Sequence, residues 1–349
     1  MNQAREKIKI TPIEKFDLER INSFLKNQFP IKTAELIIKQ SQWKSRGIEN
    51  RLKLTVNDKI IGYCSLIPTK IAMNNKSILA YWWVDLIIDK IERGKGYQTF
   101  VDRYIRDLPD IKLGFPNENA ALIHRKHSWE VQEDHKILFN PLIPKYINRK
   151  SRNSFIRKLA LIIITPLMTL IMNIIINFII RYDVKWSRKI YKPGPMLFAN
   201  IFSENITKDI ITTWRDLDFF KWRYFSCPNK DQFDFYVSER SGKISHYCIT
   251  RKVVLKGGKI LRILDLYGNL DDTERIKDIL MLIVKEAQKN GISQIISLVT
   301  VPALIPLYYR CGFILSAKSR FCWHSNKLNI KSKFNGNVYW TLGDSDNDQ

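Results

Sequence analysis

Between residues 1 and 140 the spacing of apolar positions changes several times, and each change marks an element. A short alternating stretch predicts a strand at 7–11, and helical spacing then predicts helices over 13–25 and 33–44. Strand-like runs follow at 51–56, 60–71 and 77–88, separated by Asn57-Asp58 and Asn74-Asn75, residue pairs that tolerate the left-handed turn of a tight hairpin. Beyond a turn with two glycines, Phe100, Val101, Tyr104, Ile105 and Leu108 form one helix face. Residues 111–115 read as a further strand, and Asn117 opens a helix that leads through Trp129 to a last strand.

Residues 197–349 repeat this order in degraded form. A helix is expected over 207–214, strands at 234–238, 245–254 and 259–267, with turns at Ser241-Gly242 and Gly257-Gly258, then a helix over 273–289 and a strand over 294–299. The run from Pro302 to Phe313 completes the repeat. The expectation is an α+β chain of two tandem domains, 1–140 and 197–349, each a mixed and mostly antiparallel sheet flanked by helices, joined by residues 141–196.

That connector holds 22 consecutive uncharged residues, 159–180, flanked by basic residues on both sides. A simple membrane crossing leaves the basic excess on one side, so it is disfavoured. Pro166 interrupts the run, and Thr165, Thr169, Asn173 and Asn177 fall on one narrow helical stripe. The pattern suggests a bent helix or re-entrant pair in the cytoplasmic leaflet, with anionic lipid held by the bases of 145–192; a buried connector between the domains is the alternative.

Composition sharpens this picture. The formal net charge is +23, and residues 141–196 carry 11 bases against 1 acid. A nucleic-acid binder would more often spread its basic residues over a domain face, so nucleic acid is not expected as a partner on this ground. The 5 cysteines are widely spaced, with no zinc or disulfide pattern, and no metal site is expected. The first residues lack the apolar core of a secretory signal, which predicts a cytoplasmic protein, peripherally or monotopically attached to membrane.

The chemistry centres on the glycine turn, Arg93-Gly94-Lys95-Gly96-Tyr97-Gln98, between a strand and a helix. Such a loop presents backbone N–H groups and the positive helix end to a phosphate, and Arg93 and Lys95 add charge.

With this loop followed by the Asn117 helix, residues 5–140 resemble the Gcn5-related N-acetyltransferase superfamily. The pyrophosphate motif is met by Arg93 and Gly96, with Gln98 in place of its last small residue; the second motif is met by Asn117, Ala120, Lys126 and Trp129. His124 stands where the family usually has a tyrosine general acid, and Ser128 replaces a glycine. The resemblance implies an acyl-CoA donor, acetyl-CoA first, with its pyrophosphate on the amides of Arg93 to Tyr97. Its pantetheine would pair with the strand ending at Ile88, and Asn117 would lie near its far arm. His124 is then the candidate acid, Asp85 the candidate base or water-orienting group, and Trp82 or Trp83 a wall of the acceptor pocket, since neighbours on a strand face opposite ways.

The second domain matches the helix motif with Tyr308 and Gly312-Phe313, but Asp271 and Asp272 replace the basic glycine turn, so it is not expected to hold CoA. Tandem domains with one complete loop resemble Fem-type aminoacyltransferases and two-domain enzymes of surface-polysaccharide pathways. These resemblances imply an N-acyltransferase acting on an amine, an amino sugar or lipid-linked glycan precursor at the membrane face. The alternatives are a Fem-like enzyme using aminoacyl-tRNA and a non-catalytic membrane adaptor. Asp344, Asp346 and Asp348 imitate the start of a calcium loop, and a solvated acidic tail is the expectation.

Overall fold

The computed structural model describes residues 7–142, 174, 181–255, 258–327, 334 and 337–346. In the first half the elements run β1 (Ile8–Pro12), α1 (Leu18–Gln28), α2 (Ile31–Lys44), β2 (Arg51–Val56), β3 (Lys59–Met73) and β4 (Lys76–Ile88). They continue as α3 (Tyr97–Asp107), β5 (Ile111–Gly114), α4 (Glu118–Lys126) and β6 (Glu130–Pro141). The second half has β7 (Ser187–Ile190), α5 (Pro195–Asn205), β8 (Ile210–Thr213), α6 (Leu217–Phe220), β9 (Phe233–Arg240), β10 (Lys243–Leu255) and β11 (Gly258–Gly268). It ends with α7 (Thr273–Lys289), β12 (Gln294–Val299), α8 (Ile305–Arg310), β13 (Ile314–His324) and β14 (Asn337–Tyr339).

Local signals account for much of this. Asn57-Asp58 and Asn74-Asn75 have φ of 48°, 64°, 53° and 57°, the left-handed pairs that match the twist of a hairpin. On α7 the buried residues Ile276, Ile279, Leu280, Ile283, Val284 and Ala287 recur at three and four positions, which is the stripe a helix turns toward a sheet.

The two halves share one sheet, ordered β1-β2-β3-β4-β5-β13-β6-β12-β11-β10-β9-β7. Their last strands are exchanged. β13, from the second half, lies between β5 and β6, pairing Trp323 with Leu113 and with Glu130. β6, from the first half, pairs antiparallel with β12 from Gln294↔Pro141 to Val299↔Lys136. β8 joins β3 at Ile71↔Thr213 and also carries β14, so a second seam ties the halves together.

Three expectations need correction or fall elsewhere. Residues 207–214 are not a helix: Ile210–Thr213 is strand β8, and the helix lies earlier, at Pro195–Asn205. The four residues IITT are all β-branched, and their backbones find partners in β3 and β14, so the ladder wins over the weak helical spacing. The acidic tail is not solvated at Asp344, which is 3% exposed and paired with the buried Arg215. The apolar stretch 159–180 lies outside the described residues save Ile174; among the described residues no helix is long and apolar enough to cross a membrane. Of the basic residues after it, Arg188 pairs with Glu239 and Lys189 with Asp234, while the amides of Lys185, Trp186 and Ser187 all donate to the buried Asp278 carboxylate.

Candidate active site

β4 and β5 run parallel and bond only at Ala80↔Ile111, Tyr81↔Lys112 and Trp82↔Leu113. β4 continues to Ile88 while β5 ends at Gly114, so the strands part after Trp82 and open a cleft of about 460 Å3. A bulge helps: Val84 faces Ser65 but Ile87 faces Tyr63, which leaves one extra residue on β4, and Asp85 there has φ 56°.

The cleft brings together Trp82, Trp83, Asp85, Gln98, Asn117 and His124. Asn117 caps α4, its Oδ1 accepting from the Ala120 amide at 2.9 Å. Asp85 accepts from Lys44 Nζ at 2.8 Å. Lys44 is held in turn by its neighbour Trp43, whose ring stacks on Trp222 at 5.3 Å while each indole N–H donates to the other's backbone carbonyl. His124 packs edge-on against Trp83 at 5.2 Å, and its Nδ1 lies 3.2 Å from Asp102. Asp102, on α3 and fully buried, also meets His127 Nδ1 at 2.7 Å and Arg106 Nε at 3.0 Å. Burial alone would raise its carboxyl, but the hydrogen bonds and charge of the two histidines outweigh that and hold it below the usual range. As an acceptor it fixes the imidazole proton of His124 on Nδ1, leaving Nε2 to face other groups.

The glycine loop stands at the start of α3. Gly94 and Gly96 both have φ 83°, and a Cβ at either would meet nothing within 4 Å. Among the described residues the amides of Gly94, Gly96 and Gln98 donate to no protein group, while the Gly96 carbonyl accepts from Thr99 at 2.9 Å. The loop's side chains turn inward on it: Arg93 Nε donates to the Ile88 carbonyl at 3.1 Å, and Lys95 pairs with Glu92 at 2.7 Å. Tyr97 is buried in the core between α3 and the sheet.

Of the expected residues, Ile88, Tyr308 and the loop residues Arg93 to Tyr97 do not line the cleft. Ile88 does not line it, and its carbonyl is engaged by Arg93, so the splayed edge available to a ligand is 83–86 instead. Tyr308 is buried in the second half, its hydroxyl accepting from Ser297 Oγ at 3.2 Å, and burial holds the phenol well above its ordinary range. The two positions are nonetheless equivalent. Trp129 N donates to His124 O at 3.0 Å and Phe313 N to Tyr308 O at 3.1 Å, with Ser128 (φ 62°) standing where Gly312 (φ 83°) does.

Sequence reasoning missed the C-terminal segment. Ser345 and Asp346 line the first-half cleft, and Asp346 lies 3.8 Å from Lys44, so one lysine faces two carboxylates there. Two buried arginines fix this segment: Arg215 holds Asp344 at 2.9 Å and Asp265 at 3.0 Å, and Arg223 donates to the carbonyls of Gly343 and Ser345. The run Asp344-Ser345-Asp346 gave no periodic signal; two arginines over 100 residues away decide its place.

A bulged β4, a glycine loop opening α3 and a cleft where parallel strands diverge occur together here. This is the GCN5-related N-acetyltransferase fold. A GCN5-related N-acetyltransferase from Anabaena variabilis is similar with a TM-score of 0.60 at 14% identity, over 91% of this chain and 72% of that one. Saccharomyces cerevisiae N-myristoyltransferase with bound myristoyl-CoA gives 0.58 at 15% identity, over 91% and 82%. A probable N-acyltransferase from Enterococcus faecalis gives 0.56 at 9%, over 91% and 72%. No family profile and no curated protein matches the sequence. Among the described residues no group of three metal-binding side chains is placed to hold an ion.

Proposed function

We propose that this chain is an acyl-CoA-dependent N-acyltransferase that draws its donor, acetyl-CoA in the simplest case, into the cleft between β4 and β5. One observation carries the reading: the strand edge 83–86 lies open beside a helix-opening glycine loop whose Gly94, Gly96 and Gln98 amides have no acceptor among the described residues. Unpaired main-chain donors at a helix start suit a diphosphate, and an unpaired strand edge suits the amides of a pantetheine arm.

The reaction asks little more. The acceptor amine gives up a proton, its nitrogen attacks the thioester carbon, the C–N bond forms, and the C–S bond breaks as CoA leaves as a thiolate that takes a proton. Asp85 and Asp346, both in the cleft lining, draw an ammonium toward the thioester, and in this reading Asp346 receives its first proton. His124, its Nδ1 proton held by Asp102, takes the second nitrogen proton on Nε2 once the C–N bond has formed and passes it to the departing thiolate. The acceptor we favour is an amino sugar or lipid-linked glycan precursor, because the basic connector 145–192 would hold the chain at an anionic membrane surface.

Calorimetry with acetyl-CoA tests this. The chain should bind it, and Gly96→Glu, which sets a carboxylate where the diphosphate rests, should weaken binding by about 100-fold while keeping the circular dichroism spectrum. A wild-type chain that ignores CoA thioesters but binds tRNA with steep salt dependence would replace this reading with the aminoacyl-tRNA one.

A further inference from the structure

An N-acetyltransferase and an N-myristoyltransferase both share this fold, so the fold leaves the size of the transferred group open. The inner end of the cleft is informative. Where the strands rejoin at Trp82↔Leu113, the Trp82 indole lies face to face with Phe115, centroids 5.1 Å apart and planes 9° from parallel. Behind Trp82 stand Trp340, edge-on at 5.3 Å, and Phe321 at 6.0 Å, themselves 5.2 Å apart. Trp82, Phe321 and Trp340 are fully buried. Interiors packed in this way accept an added methylene only by displacing a ring.

Elsewhere the described lining mixes polar groups with small or isolated apolar ones, Val84, Leu86, Pro116 and Ala120. On the α3 face, Trp83 is backed by His124 and Trp129 at 5.2 and 5.9 Å. The lining also holds Asp85, Ser345 and Asp346, against which an alkyl chain would remove little apolar surface from water.

Resting on the acyltransferase reading, we propose that Trp82 and Phe115, wedged by Trp340 and Phe321, are an aromatic stop that restricts the donor to short acyl groups. Trp340 belongs to the second half's C-terminal segment. The half expected to bind no CoA thus sets the acyl length of the half that does.

The test needs no acceptor. Titrate CoA, acetyl-CoA and octanoyl-CoA into the full chain by calorimetry. CoA and acetyl-CoA should bind alike, and octanoyl-CoA about tenfold more weakly than acetyl-CoA. Phe115→Ala, at the half-buried edge of the stop, and Trp340→Leu, behind it, should each close that gap. Trp82→Ala should do so most fully where it still folds, and the milder pair decides the matter where it does not. Octanoyl-CoA binding as well as acetyl-CoA in the wild type, or a gap unchanged in both milder variants, overturns the stop while leaving the acyltransferase reading intact. Failure of CoA itself to bind overturns both.

Discussion

The parallel pair β4–β5 and the parallel pair β11–β12 both come apart within one sheet, the first after Trp82↔Leu113 and the second after Ile263↔Ser297. Past the first fork lies an open cleft. Past the second lies the protein itself: Gly343 N donates to the Leu264 carbonyl at 2.8 Å, Trp340 N donates to Thr300 Oγ1 at 2.8 Å, and the Tyr339 hydroxyl donates to the Leu266 carbonyl. A side chain at Gly343 would meet that Leu264 carbonyl at 2.8 Å, so only glycine lets the segment lie this close. Forked parallel strands leave backbone groups that must be bonded by something. One fork is closed by a tethered segment, always present at high effective concentration; the other stays open, and the same segment runs on to line it.

The largest test of this contrast is Arg215→Ala. It leaves Asp265 and Asp344 buried without their shared cation and should cost about 3–5 kcal/mol by urea denaturation. A loss under 1 kcal/mol would mean the clamp does not hold the second fork shut.

His135 probes the exchanged strands. It sits on β6 opposite Ser319 of β13, and burial lowers its pKa to about 4, outweighing the opposite pull of Asp134. The folded state keeps it neutral while the unfolded state protonates near 6.5, so its contribution is intact above pH 6.5 and is lost as pH falls toward 4. The loss amounts to as much as about 3 kcal/mol. His135→Leu should flatten that part of the stability–pH curve; an unchanged slope would show that the exchanged pair is open to water.

The equivalent helix ends give a smaller, reciprocal pair. Ser128→Gly should stabilise by about 1 kcal/mol and Gly312→Ser destabilise by a similar amount, since both positions are left-handed. Thermal melts of the two single variants check the sign of each.

Smallest in stability is Asp346→Asn, within about 0.5 kcal/mol of wild type because that residue is partly exposed, unlike the buried Asp344. Thiol release from acetyl-CoA with a panel of amines should nonetheless fall by about 100-fold, at unchanged acetyl-CoA affinity. Equal turnover would remove Asp346 from the chemistry.

Much of the local structure was legible from residue spacing. The strand 51–56 and the helix 273–289 fall where their periods put them, and the Asn-rich turns adopt the backbone that such residues permit. The glycine loop and the Asn117 cap were visible too, because each is written in a few adjacent residues. Strand β8 was misread because four β-branched residues gain their ladder from strands far along the chain. Tyr308 was misplaced because matching a motif gives a position in a half, not which of two forks stays open.

By itself, then, the sequence determined where helices, hairpins and the glycine turn form, since those depend on backbone preferences and spacing within a few residues. Only the tertiary structure decided that β6 and β13 trade places, that Arg215 and Arg223 draw residues 343–345 into the interior, and that Asp346 and Trp340 serve a cleft built by the other half. Those outcomes rest on pairings between residues more than 100 positions apart, where burial, charge and strand register select a partner that no local pattern names.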